Sequence, residues 1–176
     1  MTRLVTGEEF GKLFTSFTKY AFRYEAQADY REPFEAEPWR KFRDGEYDDL
    51  EWMRPWLDGV RAATAAGRKF QRVRVLPDPL TDYLRWEMHI AHINAEAGEE
   101  IRVLDEQDRV AHDLPDYDFW LFDDSLVALM RFDDNRAFQG AELTDDPEAL
   151  DTCRKFQSTA WQFSRPFQDD PRFQQA

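Results

Sequence analysis

The stretch of residues 70–105 constrains the fold of this chain more than any other part. Valines alternate with Arg72 and Arg74, which predicts a strand with one buried face, and two prolines end that strand. Thr81 and Gly98 are suited to cap a helix, and two neighbouring apolar stripes between them predict burial over a wide arc. The apolar residues after Gly98 predict a return strand. The stretch is therefore a βαβ unit, whose parallel strands need covering by other parts of the chain.

The N-terminal part of the chain is predicted to be mostly helical. Thr6 and Glu9 have the spacing of a capping box, and apolar residues from Phe10 to Tyr24 recur at helical intervals. A short helix is predicted to end near Gly45. A further helix spans Pro55 to Gly67, with the proline in its first turn and the glycine as its stop.

The C-terminal part predicts an antiparallel meander followed by one helix. A polar connection after Asp105 leads to three strands joined by short turns. These strands are Phe119–Phe122, Leu126–Phe132 and Phe138–Leu143. The first is apolar on successive residues, so we expect it inside the sheet. Asp146 and Pro147 open the last helix, and the segment from Ser164 has little periodicity.

These elements predict an α/β (α+β) fold with a mixed sheet, a central βαβ unit, a C-terminal meander and covering helices. The length of 176 residues suits one domain, which we place at residues 1–163, with a loosely ordered tail at 164–176. The single cysteine, Cys153, excludes an intramolecular disulfide and lies in an apolar helical stripe, as a buried thiol would. No signal peptide or membrane span is recognisable, so we expect a cytoplasmic protein that does not bind membranes.

The negative charge is concentrated in one region. Residues 105–151 hold 15 acidic and 3 basic residues, a net charge of −12, of the −13 of the whole chain. Such a field repels nucleic-acid phosphates and attracts a basic protein. We therefore predict a partner-binding acidic face and no direct nucleic-acid binding; solvation alone is the alternative explanation. The residues predicted to form this face are Asp116, Asp118, Asp123 and Asp124.

No catalytic constellation is recognisable, and the pattern predicts no metal site and no cofactor. The aspartates around residue 118 do not match an EF-hand loop, and no phosphate-cradling glycine motif occurs. His89 and His92 lie one turn apart on a polar helical stripe, which is typical of a solvated helix edge. The residues suited to bind an anion are Arg72, Arg74, Arg85 and His89. Intramolecular ion pairs of the two strand arginines are the alternative.

Several segments resemble an uncharacterised actinobacterial family classed as a domain of unknown function. They are AFRYE, RPWLDGVRAATAAGRKFQRVRVL, DPLTDYLRWE, AGEEIRVLD and DYDFWLFDDSLVALMRFDD with its following GAELTDD. The resemblance extends from about Phe10 to Trp161. Members of that family are commonly encoded beside helix-turn-helix transcriptional regulators, which implies a regulatory or accessory role.

The order of elements is also similar to one half of a phospholipase D-like domain, in which a His-x-Lys motif precedes an aspartate. If Asp123 is that aspartate, Asp118 takes the lysine position and Asp116 takes the histidine position. Both catalytic residue types are then absent, and the resemblance implies an inactive scaffold.

Three functions follow as hypotheses. The first is a non-enzymatic regulatory or interaction domain that binds a protein, such as a helix-turn-helix regulator, through the acidic face. The second is a sensor that binds an anionic small molecule at the βαβ surface. The third is an enzyme acting on a phosphodiester or nucleotide, which either a metal bound at the aspartates or a strongly perturbed pair of His89 and His92 in a cleft would support.

Overall fold

The computed structural model describes residues 2–174. Within this range eight strands form one sheet: β1 (Arg3–Val5), β2 (Tyr20–Glu25), β3 (Lys69–Leu76), β4 (Glu100–Asp105), β5 (Phe119–Phe122), β6 (Leu126–Phe132), β7 (Phe138–Thr144) and β8 (Arg165–Pro166). The α-helices in this range are α1 (Gly7–Ser16), α2 (Ala36–Asp44), α3 (Arg54–Ala65), α4 (Asp82–Ala97), α5 (Glu106–Ala111) and α6 (Pro147–Phe163). Short 3-10 turns cover Pro33–Glu35, Glu51–Met53 and Phe167–Asp169.

The sheet is mixed, with the strand order β1-β7-β6-β5-β2-β3-β4-β8. Strands β2, β3 and β4 are parallel, and every other pair is antiparallel. The predicted βαβ unit is β3-α4-β4, and the predicted meander is β5-β6-β7. The predicted fold class is therefore confirmed.

The structure confirms the predicted helix ends at Thr81, Gly98, Asp146 and Gly45. The Thr81 hydroxyl accepts a hydrogen bond from the Leu84 amide at the start of α4, and Gly98 ends α4 in the left-handed region. The Asp146 carboxylate caps α6 in the same way, and Gly45 ends α2 with a left-handed conformation. These local signals depend on neighbouring residues alone, which is why the sequence reveals them.

The prediction of helix through Tyr24 is wrong, because α1 ends at Ser16 and the following segment is β2. Strand β2 lies between β3 and β5, so its backbone groups are paired on both edges. The carboxylate of Asp123 accepts hydrogen bonds from the backbone amides of Thr18, Lys19 and Tyr20, which holds the turn into the strand. Two-sided pairing and burial override the helical spacing of the apolar residues.

The prediction that β3 has only one buried face is also wrong. Val73 and Val75 pack with α6 on one face, while Arg74 is 2% exposed on the other. Helices α1, α3 and α4 cover that second face. The arginines of β3 therefore lie inside the molecule rather than in solvent.

Two segments are more ordered than predicted. The polar connection after Asp105 contains α5. The expected loose tail after Phe163 pairs with β4 through β8, and its Phe167 is fully buried. The buried Asp170 carboxylate binds the guanidinium groups of Arg165 and Arg172, which hold the tail against the sheet. Residues 175–176 of that predicted tail lie outside the described residues. No helix within residues 2–174 is long and apolar enough to cross a membrane.

Candidate ligand-binding cleft

A cavity of about 520 Å³ lies over the sheet face that α3 and α4 cover. It is lined by the carboxyl-terminal halves of β2 and β3, and ligands bind near the carboxyl ends of strands in many sheets with parallel strands. Its walls are largely aromatic and include Trp52, Trp56 and Trp120. Its floor carries charged side chains of the two strands, Arg23, Glu25, Arg72 and Arg74.

The strand register brings the floor charges together. Arg23 of β2 lies opposite Arg72 of β3, and Glu25 lies opposite Arg74. Residues two apart in a strand point to the same face, so all four side chains share one patch of the sheet. Three buried guanidinium groups in such a patch are costly unless carboxylates neutralise them.

Glu25 is the centre of this charge network. Its carboxylate oxygens lie 2.6 Å from Arg72 Nη1 and 2.5 Å from Arg74 Nη2. Burial raises the pKa of Glu25, but the guanidinium groups of Arg72, Arg74 and Arg23 outweigh burial and hold it at about 2. Glu25 is therefore ionised at every pH at which the protein is folded with these pairs intact.

Each floor arginine also binds a second carboxylate, which comes from another element. These pairs are Arg72 Nε with Glu99 (2.6 Å), Arg74 Nη2 with Glu87 of α4 (2.8 Å), and Arg23 Nη2 with Asp118 (2.8 Å). The charge network thus ties β2, β3, α4 and the segment before β5 into one unit.

Part of this network lacks hydrogen-bond partners. Atoms Nε and Nη1 of Arg23 and of Arg74 are buried and have no acceptor within residues 2–174. Arg23 Nε lies 3.4 Å from the Glu25 carboxylate, but without the geometry of a hydrogen bond. The two guanidinium carbons lie 5.5 Å from the Trp120 ring centre and 5.8 Å from that of Tyr30. Buried donors are nearly always paired, so these four nitrogen atoms are donors at the floor of the cavity that no acceptor of the chain within residues 2–174 satisfies.

A pair of carboxyl groups shares one hydroxyl at the side of the cavity. The Tyr83 hydroxyl lies 2.9 Å from Glu35 Oε2 and 3.2 Å from Glu87 Oε1. The hydroxyl has one proton to donate, so it can hydrogen-bond to both carboxyl groups only when one of them is protonated. Burial and the charge of Glu87 raise the pKa of Glu35 to about 8. Glu35 therefore carries the proton at neutral pH, while Glu87 faces Arg74.

The structure does not bring the predicted anion-binding residues together. Arg72 and Arg74 lie in the floor of the cavity, where carboxylates of the chain bind both. Arg85 and His89 lie on the solvent side of α4, where the Arg85 side chain is 57% exposed. The arginines of β3 thus belong to the candidate cleft, and the two residues of α4 do not.

The predicted acidic face is also divided. Asp116 and Asp124 are exposed. Asp118 is buried, and it accepts hydrogen bonds from Arg23, from the Tyr30 hydroxyl and from the Ala26 amide. Asp123 holds the turn before β2. Asp118 and Asp123 therefore stabilise the fold, whereas Asp116 and Asp124 lie at the surface, where Asp124 contacts the Tyr20 hydroxyl and Arg154.

Neither His89 nor His92 lines the cleft. His89 contacts Phe42 of α2, and His92 contacts the buried ring of Phe167. Within residues 2–174, no group of three or more histidine, cysteine or acidic side chains could hold a metal ion. The chemistry that the cleft can offer therefore comes from its arginines, carboxyl groups and aromatic rings.

Sequence reasoning missed the main members of the cleft, which are Arg23, Glu25, Glu35, Tyr83, Glu87 and the three tryptophans. A signal for the first two exists in the segment AFRYE, where charged and aromatic residues alternate with the period of a strand. The others come from separate helices and turns. Only the packing of the chain brings them to one place.

The comparisons with known proteins identify a family. No curated protein matches the chain. A family model described as "Domain of unknown function (DUF6879)" matches residues 8–169, a range that includes every charged and aromatic residue of the cleft. The chain therefore belongs to the DUF6879 family.

Proposed function

We propose that this protein is a non-enzymatic sensor domain that binds a small anionic molecule in the cleft. The observation that carries the proposal is the pair of buried arginines, Arg23 and Arg74, whose Nε and Nη1 atoms lack acceptors at the floor of the cavity. A carboxylate or phosphate oxygen is the acceptor that guanidinium groups bind best. Binding would satisfy donors that the free protein leaves unpaired.

The surroundings of these donors suit a small organic ligand. The cavity volume of about 520 Å³ falls in the range of small-molecule sites, and Trp52, Trp56 and Trp120 offer flat apolar surfaces. The carboxylates already paired with the arginines hold the guanidinium groups in place. A ligand would therefore meet a prearranged site and would lose little free energy in ordering it.

A regulatory role is the context that we propose for this binding. Its support is the resemblance of the chain to actinobacterial proteins encoded beside helix-turn-helix regulators. A likeness to an inactive phospholipase D-like scaffold stays a prediction. Ligand binding between β2, β3 and α4 would change the balance of ion pairs in the charge network, which offers a way to signal occupancy.

The test is a thermal-shift and calorimetry screen of small carboxylates, phosphates and nucleotides, each beside its uncharged amide or ester counterpart. We expect at least one anion to stabilise the protein, and its uncharged counterpart to do so less. The variants Arg23→Lys and Arg74→Lys keep the charge but remove the fork of donors, and should weaken that binding about tenfold or more. Arg85→Lys is the matched control, because Arg85 is outside the cleft.

If no anion stabilises the protein more than its uncharged counterpart, the proposal is wrong. It is equally wrong if Arg85→Lys lowers the affinity as much as the two cleft variants do. Circular dichroism of each variant separates a loss of binding from a loss of fold.

A second candidate function is the binding of a basic protein, such as a DNA-binding regulator, through acidic surface residues. Its support is the exposure of Asp116 and Asp124 within the region that carries a net charge of −12. Tyr117 is exposed beside Asp116 and would add an aromatic contact. We expect Asp116→Asn with Asp124→Asn to weaken retention of such a regulator at low salt. Unchanged retention at low salt would contradict this candidate.

A further inference from the structure

Two carboxyl groups of the cleft, Glu32 and Glu35, pair with no cationic side chain within residues 2–174; Glu32 accepts a hydrogen bond from the Phe138 amide, whereas Glu35 contacts a side-chain hydroxyl. Its hydrogen-bond partner in that range is the Tyr83 hydroxyl, at 2.9 Å. Glu25 and Glu87, in contrast, contact arginines directly. Glu35 is thus a partly buried carboxyl group that no cationic side chain within residues 2–174 neutralises by direct contact.

Glu35 also lines two cavities at once. It borders the cleft, and it borders a neighbouring cavity of about 550 Å³ beside α2. Tyr30, Glu32 and Tyr83 are part of the same shared wall. A ligand in the cleft can therefore reach the Glu35 carboxyl group directly.

Aromatic rings surround this position. Trp52 borders the cleft together with Glu35, and Trp39 borders the neighbouring cavity. The ring of Tyr83 lies 6.1 Å from Trp39 and 5.6 Å from Trp86. Ring faces attract cations, and they do so most strongly where water is excluded. A carboxyl group among such rings is a suitable site for an ammonium ion.

We propose that the ligand is zwitterionic: its anionic group binds Arg23 and Arg74, and its ammonium group binds Glu35. This inference rests on the proposed function and adds the second charged group of the ligand. The class of ligand is then a small molecule of amino-acid type, with one acidic and one amino group. A ligand with only an acidic group would leave the Glu35 position empty.

The proton balance of this step is simple. Glu35 is protonated in the free protein at neutral pH, and an ammonium group favours its ionised form. Binding therefore releases the proton of Glu35 to solvent, and the Tyr83 hydroxyl then donates to the carboxylate. The groups that face Glu35 are Glu87 and Tyr83 of α4, Arg74 of β3 and Glu32 of its own segment. Arg74 favours ionisation, whereas Glu87 and Glu32 oppose it.

The experiment compares compounds that differ by one charged group. The standard amino acids are screened by thermal shift, and L-tryptophan is compared by calorimetry with indole-3-propionate, which lacks the amine, and with tryptamine, which lacks the carboxylate. Any other amino acid that stabilises the protein more is compared in the same way. We expect the zwitterion to bind about tenfold or more tightly than its deaminated analogue at pH 8, which is the range of one charge-assisted contact.

The variant Glu35→Gln keeps the acceptor for the Tyr83 hydroxyl but cannot ionise. It should reduce the preference for the zwitterion to about twofold or less and leave the affinity for the deaminated analogue unchanged. Glu37→Gln is the control, because Glu37 is exposed and pairs with Arg40 three residues further along the chain. A change in zwitterion preference in Glu37→Gln equal to that in Glu35→Gln would contradict the assignment.

Calorimetry in buffers of different ionisation enthalpy gives a second readout. The wild-type protein should release a proton when the zwitterion binds at pH 7, and Glu35→Gln should not. The affinity of the wild-type protein for the zwitterion should fall with decreasing pH below 8, by up to about tenfold for each pH unit. A structural role of Glu35 would produce neither effect.

The outcomes separate this inference from the proposed function. If the deaminated analogue binds the wild-type protein as tightly as the zwitterion, the Glu35 inference is wrong and anion binding stands. If tryptamine binds as tightly as tryptophan, the assignment of an anionic group to Arg23 and Arg74 is wrong. If other anions stabilise the protein but no amino acid does at millimolar concentration, only the Glu35 inference is wrong. If no anion stabilises the protein, the Glu35 inference and the proposed function are both wrong.

Discussion

The substitution Asp118→Asn tests the buried charge network most directly. The Asp118 carboxylate accepts three hydrogen bonds: from Arg23 Nη2 at 2.8 Å, from the Ala26 amide at 2.8 Å and from the Tyr30 hydroxyl at 2.6 Å. Asparagine has nearly the same shape but only one acceptor oxygen. Its NH₂ group must therefore face at least one donor that the carboxylate had bound.

The expected cost follows from these contacts. Removing one partner of a buried ion pair destabilises a protein by about 3–5 kcal/mol, because the remaining charge is buried without compensation. The lower end of this range applies here, since Arg23 keeps Glu25 at 3.4 Å. A loss of about 3 kcal/mol corresponds to a fall of roughly 6–12 °C in Tm for a chain of this size.

The assay is thermal and urea unfolding followed by circular dichroism. Asp116→Asn is the matched control, because it removes the same charge from an exposed position that makes no side-chain hydrogen bond within residues 2–174. We expect that variant to stay within about 0.5 kcal/mol of the wild-type protein. Equal unfolding midpoints for the two variants would refute the view that Asp118 belongs to the fold rather than to the acidic surface.

Three further predictions concern other parts of the molecule. Between pH 5 and 7.5 the folded protein binds more protons at Glu35 than the unfolded chain does. Its free energy of unfolding should therefore fall as pH rises, by up to about 1.4 kcal/mol per pH unit. Urea titrations of Glu35→Gln should show a weaker dependence on pH. Gly98→Ala should lower the free energy of unfolding by about 2 kcal/mol or more in the same assay, because the glycine has a φ of +117° and a Cβ there would lie 2.3 Å from a neighbouring hydroxyl oxygen. Gly59→Ala, in an open helix position, should be neutral or stabilising. Phe167→Ala should lower stability by about 3–5 kcal/mol, as expected for a fully buried ring, while Phe163→Ala, 40% exposed, should cost less than about 1 kcal/mol in thermal unfolding. Similar losses for the two phenylalanine variants would contradict the packed tail.

The division of the acidic residues changes how a partner-binding experiment must be designed. A variant that replaces all four predicted aspartates would also remove the caps and ion pairs that Asp118 and Asp123 provide. Weak binding by that variant would then report misfolding. Replacing Asp116 and Asp124 alone keeps those contacts and changes only surface contacts, which are those of Asp124 with Tyr20 and Arg154.

Elements whose signals are local could be predicted from the amino-acid sequence. The βαβ unit, the three strands of the meander and the caps at Thr81, Gly98 and Asp146 all follow from residues that are neighbours in the chain. Hydrophobic periodicity and turn residues act within a few positions. They are therefore readable without knowledge of the rest of the molecule.

The tertiary structure alone decided whether the segment after Ser16 is helix or strand, and whether the charged residues of β2 and β3 are in solvent. The apolar spacing of Ala21 and Tyr24 fits both kinds of element, and pairing with β3 and β5 selects the strand. The alternation of residues in β3 predicts that Arg74 faces solvent. In the structure it lies in the interior, where Glu25 and Glu87, 49 and 13 positions away in the chain, neutralise its charge. A buried charge is stable only with partners at hydrogen-bond distance, and the identity of those partners depends on which distant segments the folded chain brings together.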